Sequence, residues 1–153
     1  MSVEQGRQSD VTTETALELE DIQHFLLVRP RALAARYGFL TFHDPAQARA
    51  YVGKVVDYVG TGAAVAGATQ VDSRWVTIAF TWNGLRALGV DEASLATFPD
   101  AFRQGMAARA EVLGDTGNNH PDHWVGGLAS PDLHAIVILF ARDFVDLPDL
   151  RRL

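Results

Sequence analysis

The feature that most limits the possible folds is an almost unbroken apolar run at residues 133–141, LHAIVILFA. Side chains of a strand alternate between the two faces of a sheet, so a run without alternation has to be covered on both faces. We therefore predict a central strand at this position. Its predicted neighbours are strands at 34–42 and 75–81, which are rich in aromatic and β-branched residues.

The first half of the chain predicts one further strand and one helix. IQHFLLV at 22–28 is short and apolar and ends at an Arg-Pro turn, which is typical of a strand. Asp44 and Pro45 suit the N-cap and the first position of a helix that continues to Gly60. The apolar stripe of this helix comprises Ala48, Tyr51, Val52, Val55, Val56 and Val59. The small residues of segment 60–70 then predict a flexible connection.

The second half predicts short helices and one irregular segment. TWNGLRALGV favours a short helix that stops at Gly89, and a second short helix or turn begins at Asp91. Residues 100–113 predict an amphipathic helix, after which the chain is rich in Gly, Asp, Asn and His as far as Trp124. The apolar side of that helix carries Phe102, Met106 and Ala110. A last helix is predicted to begin at Asp146, and the sequence ends soon afterwards.

This order of elements predicts an α+β fold with one sheet. A ferredoxin-like arrangement needs a fourth strand after its second helix, and no such strand follows Asp146. Two readings stay open from the pattern alone: the fold closes in another way, or the chain is a piece of a longer protein. The polar residues 1–17 are expected to be a flexible lead-in, and residues 18–153 to form the domain.

Composition excludes several classes of function. The net charge of −6 and the pI near 5.2 argue against a nucleic-acid partner, which would select a basic face. No apolar stretch is long enough for a membrane span, and no signal peptide is visible at the N-terminus. The absence of cysteine excludes disulfides, thiolate metal sites and cysteine nucleophiles. We expect a cytoplasmic protein.

The histidines and one aspartate are the candidate site residues. His24 and His134 are expected to be hydrogen-bonded structural residues, and His43 a solvated turn residue. The pattern His120-Pro-Asp122-His123 holds three possible ligands for a divalent metal, but its spacing matches no established zinc motif, and a plain polar loop is the simpler interpretation. Asp115, in LGDTG, fits a general acid or base, or an Asx-type turn. No dinucleotide-binding glycine pattern or serine nucleophile motif is present.

Several ordered sequence blocks resemble dye-decolourising (DyP-type) haem peroxidases. The blocks are LELEDIQ at 17–23, FTWNGLRALGV at 80–90, FPDAFRQGMAARAEVLGDTG at 98–117, HW at 123–124 and DLHAIVILFA at 132–141. The resemblance covers the chain from Leu17 onward and is to the N-terminal half of such an enzyme. It implies a ferredoxin-like antiparallel sheet with helices on one face, here incomplete because the last strand is missing. It also implies that haem is held mainly by a second repeat.

The resemblance gives this chain no catalytic, cofactor-binding or metal-binding residue. The GxxDG motif of the family, whose aspartate helps to cleave peroxide, is absent, and LGDTG is a different arrangement. That motif, the proximal histidine and the distal arginine are expected beyond Leu153. Met106, Gly114 and Asp115 are expected to position the fold rather than to react, and Trp124 is expected to be a marker of it.

We therefore expect the N-terminal part of a DyP-type peroxidase, with haem in the full-length parent and none in this chain alone. The parent oxidises dyes and other organic substrates with hydrogen peroxide, whereas this chain alone is expected to be inactive. One alternative is a non-catalytic, dimeric ferredoxin-like binding or assembly module that self-associates through an open sheet edge. Another is a small-molecule monooxygenase of the dimeric α+β-barrel type, against which the long insertion counts.

Overall fold

The sheet has three antiparallel strands in the order β1-β3-β2. A computed structural model describes residues 17–28, 32–65 and 75–144, in which β1 spans Ala34–Leu40, β2 spans Trp75–Phe80 and β3 spans Ala135–Ala141. The prediction that the run at 133–141 forms the central strand between the other two is confirmed. The predicted α+β class, with an incomplete ferredoxin-like sheet, is also confirmed.

One face of the sheet carries the main hydrophobic core. Alternate residues of β3 from Ala135 to Ala141 are buried on this face, and Val137 and Leu139 are fully enclosed. The helix α1, Pro45–Val56, supplies Val55 to the same cluster. The buried cluster consists of Val55, Val76, Ile78, Val137 and Leu139.

Helix α1 begins where the sequence predicts it. The Asp44 side chain accepts a hydrogen bond of 2.8 Å from the backbone N–H of Gln47, and Pro45 occupies the first turn. The predicted apolar stripe is only partly buried: Val55 is enclosed, whereas Val56 is 54% exposed. Helix α2, Gly62–Val65, lies in the segment 60–70 that was predicted to be a flexible connection, and residues 66–74 lie outside the described residues.

The opposite face of the sheet is only partly covered. Residues Ile136, Ile138 and Phe140 of β3 point to this face and are half-buried. The segment 19–28 covers its β2 side, where the Phe25 ring stacks on Phe140 at 5.4 Å between centroids. The β1 side is left open, with Tyr37 56% and Phe39 45% exposed.

The predicted strand at 22–28 is wrong. The segment forms two short 3-10 turns, Leu19–Asp21 and His24–Leu26, with a single bridge between Gln23 and Thr61. The side-chain amide of Gln23 replaces a strand ladder: its Nε2 donates to Ile78 O at 2.8 Å, and its Oε1 accepts from Ile78 N at 3.2 Å. One side chain thus pairs with both the N–H and the C=O of Ile78 on the outer edge of β2, where a neighbouring strand would otherwise bond.

Residues 75–144 contain four short α-helices, followed by 3-10 turns at Gly117–Asn119 and Pro121–His123. The α-helices are α3 at Trp82–Ala87, α4 at Glu92–Ala96, α5 at Asp100–Ala108 and α6 at Ala110–Leu113. The single amphipathic helix predicted at 100–113 is therefore wrong, because the chain leaves helical geometry at Gly105, with φ 74° and ψ 172°. The helix predicted from Asp146 and the lead-in at 1–16 lie outside the described residues. Within the described part, no helix has the length and apolarity to cross a membrane.

Candidate functional site: an apolar cavity beside the interrupted helix

A cavity of about 760 Å³ lies where β2 ends and α3 begins. Thr81, the N-cap of α3, accepts a hydrogen bond of 3.0 Å from the N–H of Gly84 and donates one of 2.7 Å to the carbonyl of Leu133. Gly84 approaches the segment before β3 so closely that a Cβ there would overlap the carbonyl of His134. This close contact fixes the first wall of the cavity against the sheet.

The second wall is α5. A straight helix over 100–113 would turn Phe102 and Met106 to one side, as the sequence predicts. The chain leaves helical geometry at Gly105, between these two residues; both still line the cavity, and Met106 is 61% exposed. A positive φ of this kind is accessible to glycine and strained for other residues. The Phe102 ring lies 5.0 Å from that of Phe98, which anchors the start of the helix.

The third wall is the irregular segment that leads to β3. The indole N–H of Trp124 donates to the carbonyl of Asn119 at 2.9 Å, and the side chain of Asn83 in α3 donates to the carbonyl of Pro131 at 3.1 Å. These two bonds hold the segment against itself and against α3. The long polar stretch therefore folds back to form a cavity wall.

The lining of the cavity is mostly apolar. It consists of Phe80, Thr81, Trp82, Asn83, Ala101, Phe102, Arg103, Gln104, Gly105, Met106, Ala107, Ala108, Trp124, Leu128, Ala129, Ser130, Pro131 and Leu133. Arg103 is the one charged residue in this set, and its Nη1 lies 3.3 Å from Asp100 Oδ1. The ring of Trp82 lies 5.0 Å from the Arg86 guanidinium carbon, and its indole N–H is buried without an acceptor among the described residues. The cavity was not predicted from the sequence. The one available signal for it was Gly105, a glycine inside an apparent helix.

The candidate metal residues lie on the surface, away from the cavity lining. His120 and His123 are exposed, and His120 Nδ1 is 3.2 Å from Asp122 Oδ2. Across the described ranges, no group of three or more His, Cys, Asp or Glu side chains is placed to hold a metal ion. Asp115 follows the left-handed Gly114 that ends α6, and its N–H donates to the carbonyl of Ala110 at 2.8 Å. This backbone bond belongs to the C-terminal end of α6.

The remaining histidines differ from one another. His134 is a hydrogen-bonded structural residue, as predicted, because its Nδ1 accepts from the N–H of Phe42 at 2.8 Å. His43 is exposed, as expected of a turn residue. His24 is buried against Trp75, with ring centroids 4.2 Å apart, but neither of its ring nitrogens has a hydrogen-bond partner among the residues that the structure describes. The prediction of a hydrogen-bonded His24 is therefore wrong.

The cavity does not fit haem as a peroxidase holds it. Such iron takes an axial ligand from the protein, most often histidine, and no histidine lines this cavity. We therefore derive no haem chemistry from these residues.

Two ionisable groups have shifted pKa values. The pKa of Asp91 is lowered, chiefly because its carboxylate accepts a hydrogen bond from the backbone N–H of Ser94 at the start of α4. Burial raises the pKa of Tyr51. Neither residue lines the cavity, so these shifts belong to helix capping and to core packing.

Comparison with protein families gives one clear match. Residues 34–147 match the sequence profile described as the DyP dimeric α+β barrel domain. No curated protein matches this sequence.

Solved structures of dye-decolourising peroxidases have the same fold. A crystal structure of DyP superposes with a TM-score of 0.69 at 19% identity, covering 85% of this chain and 28% of that one. A decolourising peroxidase from Auricularia auricula-judae gives 0.68 at 24% identity, over 83% of this chain and 27% of that one. A dye-decolourising peroxidase whose haem pocket was engineered for asymmetric sulfoxidation gives 0.66 at 21% identity, over 83% and 27%. The chain thus spans little more than a quarter of the length of these relatives.

Proposed function

We propose, from the premise that this chain belongs to the DyP family and matches the N-terminal portion of its members, that it serves as the structural N-terminal part of a haem peroxidase. The parent protein would use hydrogen peroxide to oxidise dyes and other organic substrates. The observation that carries the proposal is the profile match over residues 34–147. In this assignment the chain scaffolds the enzyme, and residues outside it bind haem and cleave peroxide.

The length and the chemistry of the chain support this division of labour. It covers 27% of the relative whose haem pocket was engineered, which leaves most of that protein's length for the pocket. The cavity beside α5 is lined mostly by aromatic and small residues and offers no histidine to an iron. A haem supplied by the rest of the parent would contribute the redox chemistry, and this chain would contribute packing surface. The lack of cysteine is compatible with a cytoplasmic location, which we also propose.

The open part of the sheet supplies that packing surface. Tyr37 and Phe39 of β1 are about half exposed and lie beside the half-buried Ile138 and Ile136 of β3. An apolar sheet face of this kind is stabilised when a second layer covers it. The outer edge of β1 also has no neighbouring strand among the described residues. We propose that the rest of the parent covers this face and edge.

A second candidate function is a non-catalytic dimeric module. The matching profile is described as a dimeric domain, and a second copy would cover the same face and edge. β2 is the less suitable edge for this purpose, because Gln23 and a bridge from Val59 to Val76 already occupy part of it. In this alternative the chain self-associates through β1.

Haem reconstitution of the purified chain tests the first proposal. We expect no stoichiometric Soret band and no peroxide-dependent oxidation of an anthraquinone dye. One tightly held haem per chain, with turnover lost on changing a single histidine, would refute it. A full-length DyP-type peroxidase taken through the same reconstitution is the positive control, and it should bind haem and turn over.

Sedimentation velocity tests the dimeric alternative. Tyr37→Lys places a charge on the open face and should dissociate a dimer formed there, whereas Tyr58→Lys, at a similarly exposed position outside the sheet, should leave it intact. A haem-free dimer sensitive to Tyr37→Lys alone would favour the module. A monomer at all concentrations would exclude it.

A further inference from the structure

We propose that the cavity between α3, α5 and the segment before β3 binds one flat aromatic molecule that carries a single acidic group. This function does not depend on haem or on the peroxidase assignment. The volume of about 760 Å³ lies within the range of small-molecule sites, roughly 300–1,000 Å³. Such sites combine apolar walls with a few polar groups that orient the ligand.

The walls favour a flat ring. Four aromatic side chains, Phe80, Trp82, Phe102 and Trp124, line the cavity together with the thioether of Met106. Aromatic rings pack favourably against one another in offset or edge-on geometry, and a thioether packs well against a ring edge. A flat aromatic ligand would therefore contact most of the large side chains at once.

The charge of the lining favours an acidic group. No carboxylate, lysine or histidine is among the lining residues, so Arg103 sets the charge preference. Its Nη1 faces Asp100, and a guanidinium has five N–H donors in a fixed fork, which leaves several for a ligand carboxylate. Asp100 offsets part of this charge but is not among the lining residues, so Arg103 is the one charged group in the lining that a bound molecule would meet.

A small molecule suits the cavity better than the chain that follows β3. The cavity lies at the Phe80 end of the sheet, where Phe80 pairs with Ala135 at the start of β3. The chain leaves β3 at Ala141, which pairs with Ala34 at the opposite end. At about 3.4 Å per residue, the strand separates these two ends by roughly 20 Å. Ala141, where β3 ends, therefore lies at the end of the sheet opposite the cavity.

Titration of the haem-free chain with 2-naphthoate tests the proposal. Two of the three tryptophans line the cavity, so intrinsic fluorescence reports binding, and calorimetry gives the stoichiometry. We expect saturable binding of one molecule per chain and at least tenfold weaker binding of the cation 2-naphthylmethylamine. Absence of saturation, or equal binding of the cation, would overturn the proposal.

Three variants locate the site. Ala129→Phe fills the cavity from its loop wall and should weaken naphthoate binding at least tenfold, whereas Ala50→Phe, exposed on α1, should leave it unchanged. Arg103→Gln should weaken naphthoate by roughly tenfold, the worth of a charge-assisted bond, and remove the discrimination against the amine. Circular dichroism verifies that each variant is folded. The assignment would be refuted if Ala129→Phe left naphthoate binding unchanged. It would also be refuted if this variant changed the oligomeric state without weakening naphthoate binding.

Discussion

The two faces of the central strand should contribute differently to the free energy of unfolding. Substitutions at two adjacent residues, one on each face, test this difference. Leu139 points to the helix-covered face and is 0% exposed, in contact with the cluster that includes Val55 and Val76. Leu139→Ala removes three buried carbons from a position enclosed between the sheet and α1, which cannot collapse easily. Buried Leu→Ala changes cost about 2–5 kcal/mol, and the rigid surroundings favour the upper half, about 3–4 kcal/mol.

Ile138 is the matched control because it lies on the same strand and points to the open face. It is half-buried beside Tyr37 and Thr77. Part of its surface is already in water, so Ile138→Ala should cost about 1–2 kcal/mol. Urea denaturation at one fixed, low protein concentration gives both values, provided the m-value is unchanged. Equal losses for the two variants would refute the assignment of one covered and one open face.

Three further predictions concern glycines, a helix cap and a metal. Gly84→Ala should destabilise the fold by about 1–3 kcal/mol, because the new Cβ would overlap a backbone carbonyl. Gly53→Ala should stabilise the fold by about 0.5–1 kcal/mol, because Gly53 lies in α1 with open space around it. Thermal unfolding of both variants measures the two effects. The pKa of Asp91 is lowered in the folded state, so this carboxylate stabilises the fold above its unfolded pKa, and the stabilisation is lost as the pH falls through the folded pKa. Asp91→Ala should therefore destabilise the protein at neutral pH and become as stable as wild type in acid. Unfolding measured as a function of pH tests this. Zinc should not bind at His120 and His123, which are exposed and share one nearby carboxylate, and submicromolar calorimetric binding that is lost on changing both to alanine would contradict this.

The sheet was the most predictable part of the molecule. An unbroken apolar run such as 133–141 is best buried between two neighbouring strands, and this is the central position that the structure gives it. The expected cover on both faces is only partly present, because Ile136 and Ile138 are half-buried on the open face. Helix starts were predictable for a similar reason, since Asp44 and Asp91 each accept a backbone hydrogen bond that their local sequence alone provides.

The segment 22–28 was not predictable from its own pattern. Its apolar residues suit a strand, but Gln23 bonds to Ile78, a residue 55 positions later in the chain. A contact of that sequence separation is invisible to local propensity, and here it decides the conformation. The same placement of the segment buries the ring of His24 against Trp75.

The cavity could not be predicted because it depends on an interruption that the helical pattern conceals. Residues 100–113 keep an apolar period across Gly105, and a glycine in a helix costs only about 1 kcal/mol relative to alanine, so local energetics permit a continuous helix. The structure instead has a positive φ at Gly105 and a separate helix α6. Trp124 and Leu128, which return from the irregular segment, occupy a wall that a continuous helix would not require. The polar, glycine-rich stretch is thus the counterpart of the helix break, and the two together create an apolar space that neither sequence element indicates alone.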